Sequence, residues 1–235
     1  MPTGEQSRRS LAVAIDGPAG AGKSTVAREV AAALGYAYID TGAMYRAVAY
    51  RALREGLQVG QDDQAIADLA RRMRFEFRQT GEGQHLFLDG EDVEAAIRTP
   101  EVGNLSSPVS ALPQVRERLV AAQRELAGSG GVVMEGRDIG TVVLPHAEVK
   151  IFLTASEEER ARRRQGQLRD QGLERSLEQI LAEQRERDAR DSSRAVAPLR
   201  PAQDAFVLVS DGLLREQVVA EIVARVRAAE EGACQ

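Results

Sequence analysis

Leu11–Ile15, an unbroken apolar run, leads through Asp16 into Gly17-Pro18-Ala19-Gly20-Ala21-Gly22-Lys23-Ser24. No other stretch limits the possible folds as much. A short continuous apolar run bounded by turn residues reads as a strand buried on both faces, the kind found in a parallel sheet. The segment after it fits G-x-x-x-x-G-K-[ST], the spacing of a phosphate-binding loop. Thr25–Leu34 is built of helix formers and stops at Gly35. Strand, glycine loop and helix in that order are the context in which such a loop works, so the segment is expected to hold a nucleoside triphosphate.

Each residue type in the loop has a physical task. Gly17, Gly20 and Gly22 let backbone N–H groups face an anion with no side chain in the way. The positive end of the following helix adds to the attraction. Lys23 supplies a mobile charge for the β- and γ-phosphates, Ser24 a hydroxyl for Mg²⁺, and Thr25 a second hydroxyl near the α-phosphate. The lysine is conspicuous because the chain has only one other, Lys150, against 29 arginines.

Composition removes several classes. The net charge of −5 gives no global basic field for nucleic acid. One cysteine, Cys234, excludes an internal disulfide and a cysteine metal site, and His85 and His146 lie too far apart to mark zinc. No stretch reaches the ~20 apolar residues needed to span a bilayer, and MPTGEQSRRS lacks a secretory core, so a cytoplasmic location is expected.

Along the chain, residues 1–10 and 230–235 read as polar, frayed ends around a body at 11–229. Tyr36–Ile39 is a second strand, ending at Asp40-Thr41-Gly42-Ala43-Met44-Tyr45-Arg46 and a helix to about Gly56. Asp40 or Thr41 suits the N-cap, and Arg46 is open to two readings, an exposed arginine or a ligand at the end of a strand. Residues 60–105 look like a small insert. A helix over 62–73 precedes a hairpin of Phe75–Arg78 and His85–Leu88, and a short strand follows Asp89-Gly90. Val102–Ser110 reads as a small, polar connection broken at Pro108, and Pro113 opens a helix with Val115, Leu119, Ala122 and Leu126 on its buried stripe.

Gly131–Met134, Val149–Leu153 and Phe206–Val209 complete five parallel strands. Alternation of β and α elements predicts a five-stranded parallel sheet with helices on both faces. Ser156-Glu-Glu-Glu159 and Ser176-Leu-Glu-Gln179 are capping boxes. Arg160 and Arg162–Arg164 follow the first, with Glu158–Arg162 and Glu159–Arg163 at helical spacing, and a solvated, salt-bridged face accounts for them. Asp188, Arg185 and Arg190 read as surface ion-pair members, and residues 213–228 as a closing amphipathic helix.

Guanine-reading switches need Asn-Lys-x-Asp, and the sole asparagine, Asn104, is followed by Leu105. Transport ATPases need a glycine-rich signature after Leu-Ser, whereas Leu105-Ser106 runs into Ser107-Pro108. A kinase for a small anionic acceptor instead needs fixed cations around a moving phosphoryl group. The arginines supply them. Which small acceptor is used stays open at this point, and a binding-only nucleotide regulator remains the alternative.

The phosphate loop, Asp40–Arg46, Asp89–Val93, Gly136-Arg-Asp-Ile-Gly-Thr141 and Arg187-Asp-x-Arg-Asp191-x-x-Arg194, in that order over residues 11–225, resemble the bacterial cytidylate kinases. The resemblance implies transfer from ATP to CMP or dCMP with Mg²⁺; a monomer is expected because no large exposed apolar stripe stands out, and charge and hydropathy point to neither nucleic acid nor membrane as a partner. It assigns the cytosine to Ser107, Arg116 and Asp138, with Thr41 near the base where members often carry Ser, and places Asp40 on the same side. It assigns the acceptor phosphate to Arg46, Arg137 and Arg194, and the ribose to Arg187 and Asp191. Arg163 and Arg164 fall on a lid over ATP at about 156–175, and Lys23, Arg137, Arg187 and Arg194 form the catalytic set.

Overall fold

The computed structural model describes residues 10–81, 83–128, 130–170 and 172–232. The expected fraying of the first nine residues, Glu82 in the hairpin turn, and Cys234 lie outside them. The chain divides into two compact units. The first takes residues up to Tyr38 and from Ala127 onward; the second is the continuous stretch Ile39–Leu126, wider than the 60–105 segment read from the sequence.

The first unit is built on a parallel sheet. Its strands are β1 (Ala12–Asp16), β6 (Val132–Gly136), β7 (Val149–Thr154) and β8 (Phe206–Val209), with β2 (Ala37–Asp40) at the far edge, in the order β2-β6-β1-β7-β8. Five parallel strands are therefore present as expected. The register sets Asp16 of β1 beside Gly136 of β6 and Phe152 of β7, so the loops that leave these strands share one end of the sheet. After β1 the chain turns toward β2, and after β6 toward β7. This reversal is where open α/β sheets bind ligands.

Helices α1 (Lys23–Leu34) and α8 (Arg215–Gly232) bury Val26, Val30, Val218, Ile222 and Val226 in the core under the sheet. The last helix starts at Arg215 rather than at Leu213, and Leu213 and Leu214 stay exposed ahead of it. Helices α6 (Glu157–Asp170) and α7 (Leu177–Ser193) pack through Ala161, Leu168 and Ile180.

The second unit has its own core around Met44, Ile66, Leu86, Ile97 and Leu119. It contains α2 (Thr41–Arg54), α3 (Asp63–Arg72), the antiparallel strands β3 (Phe75–Thr80), β4 (Gly83–Leu88) and β5 (Glu91–Asp92), then α4 (Pro100–Ala111) and α5 (Pro113–Ala127). The hairpin registers Phe75 on Leu88 and Phe77 on Leu86, and Arg78 lies over the Phe87 ring.

Several local expectations are corrected. The segment 102–110 is not a broken connection but the body of α4, with Pro108 inside the helix. Thr99 caps it and Pro100 fits its first turn, while the buried faces of Val102 and Val109 pack into the core and outweigh the one ladder bond that Pro108 removes. The Ser156 box forms by half. Ser156 Oγ accepts from Glu159 N, but Ser156 N–H donates to Asp211, because the Glu159 carboxylate is taken by Arg163 at 2.9 Å. The Ser176–Gln179 box forms in full. Arg160 does not belong to a solvated face: it is 4% exposed and paired with Asp188, an ion-pair member as expected though only partly exposed. Arg162 lies 3.9 Å from Glu159, one residue nearer in the chain than the Glu158 expected as its partner. Arg185 and Arg190 hold exposed ion pairs with Glu157 and Glu186, as read from the sequence.

Candidate active site

The loop between β1 and α1 leaves the sheet under tight steric control. A β-carbon on Gly17 would stand 1.9 Å from the Leu153 carbonyl oxygen of β7, so only glycine passes. Gly20 and Gly22 adopt φ of 78° and 89°, left-handed values that other residues rarely take. Pro18, Ala19 and Ala21 fill the positions between, and α1 begins at Lys23, with Ser24 half-buried and Thr25 exposed on its first turn.

Lys23 is buried, and its Nζ donates to the Pro18 carbonyl at 2.8 Å. Burial, joined by the positive charges of Arg137 and Arg187, pushes its pKa down to about 7, while Glu135 and Asp16 pull the other way. A buried lysine in the field of two guanidinium groups concentrates positive charge at the loop, which favours an anion there.

Asp16 is the last residue of β1 and Glu135 the last but one of β6, and both are buried. Asp16 accepts from the N–H groups of Ile139 and Gly140, each at 2.8 Å. Burial still pushes its pKa up to about 6, against those hydrogen bonds. It thereby pins the π-turn Ile139–Val143 that follows Arg137 and Asp138. Glu135 accepts from the Tyr38 hydroxyl at 2.8 Å. Neither acid was singled out from the sequence. Their common signal is a carboxylate that ends an otherwise apolar parallel strand.

Asp191 on α7 gathers the arginines of the first unit. Arg137 Nε donates to its carboxylate at 3.0 Å, and Arg194 Nε donates to its carbonyl at 3.2 Å. Burial would raise this acid, but Arg137, Arg187 and Arg194 hold it below the usual carboxylate range. The structure thus brings together Arg137, Arg187, Asp191 and Arg194, residues up to 57 positions apart in a chain that the resemblance linked by motif alone. Asp138 is buried at the start of the π-turn.

On α6, Arg163 donates to the Ala21 carbonyl at 3.4 Å and to the Ser210 hydroxyl and carbonyl at 3.0 and 3.1 Å. Among the described residues, Arg164 reaches only Gln167, at 3.5 Å.

In the second unit, Asp40 is the N-cap of α2, which settles the choice between it and Thr41. It accepts from Ala43 N at 2.8 Å and pairs with Arg46 at 2.8 Å and Arg98 at 3.2 Å. Burial opposes ionisation here, yet the two arginines hold its pKa down at about 2. Gly42 makes room for the pair, since a β-carbon there would lie 3.1 Å from both Arg46 Nη1 and Asp40 Oδ1. Arg46 keeps a buried Nε with no hydrogen-bond partner among the described residues. Thr41 is buried at the start of α2. Ser107 and Arg116 are both buried and are linked by Ser110, whose hydroxyl donates to the Ser107 carbonyl at 2.8 Å and whose carbonyl accepts from Arg116 at 3.2 Å. Arg98 was missed in the sequence because its partner stands 58 residues away.

For Mg²⁺, the donor set is hard oxygen: the Ser24 hydroxyl on the first turn of α1, with Asp16 and Glu135 buried nearby in the charge field of Lys23. Among the described residues no group of three His, Cys, Asp or Glu could form a cage on its own. Such a site fits an ion that arrives on triphosphate oxygens and keeps most of its waters.

A parallel α/β sheet with a glycine loop and buried lysine at its switch point defines a P-loop phosphotransferase. The profile of the cytidylate kinase family matches residues 13–228. The chain is 52% identical over 216 residues to a cytidylate kinase from Desulfitobacterium hafniense, covering 92% of each chain. It is 54% identical over 217 residues to another from Pelotomaculum thermopropionicum, covering 92% of this chain and 96% of that one. The structure of an uncharacterized protein from Eubacterium ventriosum superposes with a TM-score of 0.50 at 10% identity over 94% of this chain and 99% of that chain, a likeness of fold alone. The chain belongs to the cytidylate kinase family.

Proposed function

We propose that this chain transfers the γ-phosphoryl group of ATP to CMP or dCMP, giving ADP and CDP or dCDP. Family membership supports the reaction, and one observation carries the chemistry: a buried lysine in a glycine loop, in the field of Arg137 and Arg187, gathers positive charge where a transferring phosphoryl group is stabilised. The backbone of Gly17–Gly22, Lys23, Ser24 and Thr25 grips the donor triphosphate. Ser24 would hold Mg²⁺, which spreads the negative charge of the β- and γ-phosphates and helps align the attack. Arg163 and Arg164, on the segment 156–175, serve the ATP side.

Arg46, Arg137 and Arg194 bind the acceptor phosphate, and Arg187 with Asp191 holds the ribose. Asp138, Arg116, Ser107 and Thr41 read the base, with Asp40 fixing Arg46 in place. Cytosine presents an amino donor beside an acceptor edge, which a carboxylate and an arginine complement. The protein need not abstract a proton with a specially tuned base, because transfer of a phosphoryl group asks mainly for position and positive charge. Exclusion of water at the loop limits loss of ATP to hydrolysis. The protein works as a cytoplasmic monomer; no helix among the described residues is long and apolar enough to cross a membrane. A coupled assay of ADP release against CMP, dCMP, UMP, AMP and GMP tests the reading. Turnover fastest with CMP or dCMP is expected, and turnover fastest with AMP, or none with any acceptor, would overturn it.

A further inference from the structure

Arg160 is among the most buried charged side chains in the described chain, at 4% exposure, and the reaction outlined above gives it no task. Its Nε donates to the Ala155 carbonyl at 3.2 Å, and one Nη1 serves both the Ala19 carbonyl at 3.0 Å and Asp188 at 2.6 Å. Ala19 lies in the middle of the phosphate loop. Its carbonyl shares a planar trans peptide with the N–H of Gly20, and no cis peptide is present among the described residues. In a trans peptide these two groups point in opposite directions. A guanidinium that draws the Ala19 oxygen outward therefore turns the Gly20 N–H inward.

The outer wall is closely fitted at the same place. A β-carbon on Gly20 would stand 3.0 Å from Gln184 Nε2 and 3.2 Å from Arg160 Cβ and O, so α6 and α7 press directly on the back of the loop. One turn along α6, Arg163 reaches the next outward carbonyl but one, that of Ala21, at the longer distance of 3.4 Å. Its peptide partner is the N–H of Gly22.

We propose that Arg160, held by Asp188, is a positioning residue of the donor site: it fixes the orientation of the Ala19–Gly20 peptide so that the loop presents its N–H group to the triphosphate before any nucleotide arrives. Prepaid orientation of this kind raises affinity by cutting the ordering cost of binding. The inference rests on the loop being the ATP cradle, and it does not depend on which acceptor is used.

The test is calorimetric titration of the full chain and of Arg160→Lys and Asp188→Asn with ATP, inorganic tripolyphosphate and CMP, together with a thermal melt of each. Lysine keeps the charge, but its three N–H donors radiate from one nitrogen and lack the flat fork that spans the Ala155 and Ala19 carbonyls and Asp188. ATP and tripolyphosphate affinities are expected to fall about tenfold in Arg160→Lys and about threefold in Asp188→Asn, with CMP affinity within twofold of wild type. Retained affinity for ATP and tripolyphosphate in both variants would overturn the proposal. So would equal losses for ATP and CMP that track a falling melting temperature, since a merely structural pair would produce that pattern. Wild-type chain that binds ATP but phosphorylates some acceptor other than CMP would defeat the acceptor assignment and not this one.

Discussion

Arg137 at the end of β6 and Asp191 on α7 are joined by a 3.0 Å hydrogen bond between Nε and the carboxylate. The bond uses the one guanidinium nitrogen that points sideways and leaves Arg137 Nη1 at the Gly136 carbonyl at a long 3.4 Å. One acid thus orders a cationic surface without neutralising it, since Asp191 also lies in the field of Arg187 and Arg194. Such an arrangement stabilises charge that spreads over a transferring phosphoryl group.

Arg194→Ala is expected to lower kcat by about 10²–10³ while the melting temperature stays within a few degrees, because Arg194 sits at the very end of α7, where its Nε donates to the Asp191 carbonyl. Steady-state kinetics and a melt on the same preparation check it.

Asp138→Ala is expected to lower kcat/KM for CMP by about 10² and leave ATP affinity unchanged, since a buried carboxylate that reads a base edge loses a specific contact. Intact CMP kinetics would remove Asp138 from base recognition.

Lys23→Met is expected to reduce kcat by at least about 10² yet leave the empty protein as stable as wild type or more so. The sign follows from titration. The unfolded lysine loses its proton near 10.5 and the folded one near 7, so between those values the unfolded chain binds more protons and stability rises with pH. Urea midpoints from pH 7 to 10 should climb for wild type relative to the variant, and saturating ATP should flatten the difference.

Asp40 works in the opposite window. The unfolded carboxyl protonates near 3.8 and the folded one near 2, so the ion pairs to Arg46 and Arg98 contribute above pH 4 and are lost as the pH falls toward 2. The contribution at neutral pH is about 2 kcal/mol, from a little under two pKa units in a buried group. Asp40→Asn should show a flatter decline in urea stability across that range.

Gly17→Ala and Gly35→Ala make a paired test of backbone constraint. At Gly35, φ is 70° and space is open, so about 1 kcal/mol is the expected loss. At Gly17 the added carbon meets the β7 backbone at 1.9 Å, and a loss above about 3 kcal/mol, or failure to fold, is expected.

The parallel sheet and the loop were legible because apolar strands, glycine spacing and helix formers all agree over Leu11–Gly35. Asp191, Arg137 and Arg194 were legible as motif members, though not as one cluster. Pro108 misled because local backbone chemistry was weighed without the core that α4 packs into; buried Val102 and Val109 decide that segment. Arg160 misled for the same kind of reason. Beside three acids and three arginines it reads as one more exposed charge, and only its contact with Ala19, 141 residues away, gives it a different task. Asp16 and Glu135 stood at the ends of their strands in plain view, but their work lies in the Ile139–Gly140 turn and the Tyr38 hydroxyl, which no spacing rule connects to them.

The scarcity of lysine has a practical outcome. Lys23 is buried in the glycine loop, and Lys150, its side chain 8% exposed, is bound to Asp204 and the Pro145 carbonyl. Acylating reagents therefore find almost no side-chain amine on the folded surface. The rate at which Lys23 takes a label would time the opening of the loop itself, and a bound triphosphate would stop that clock.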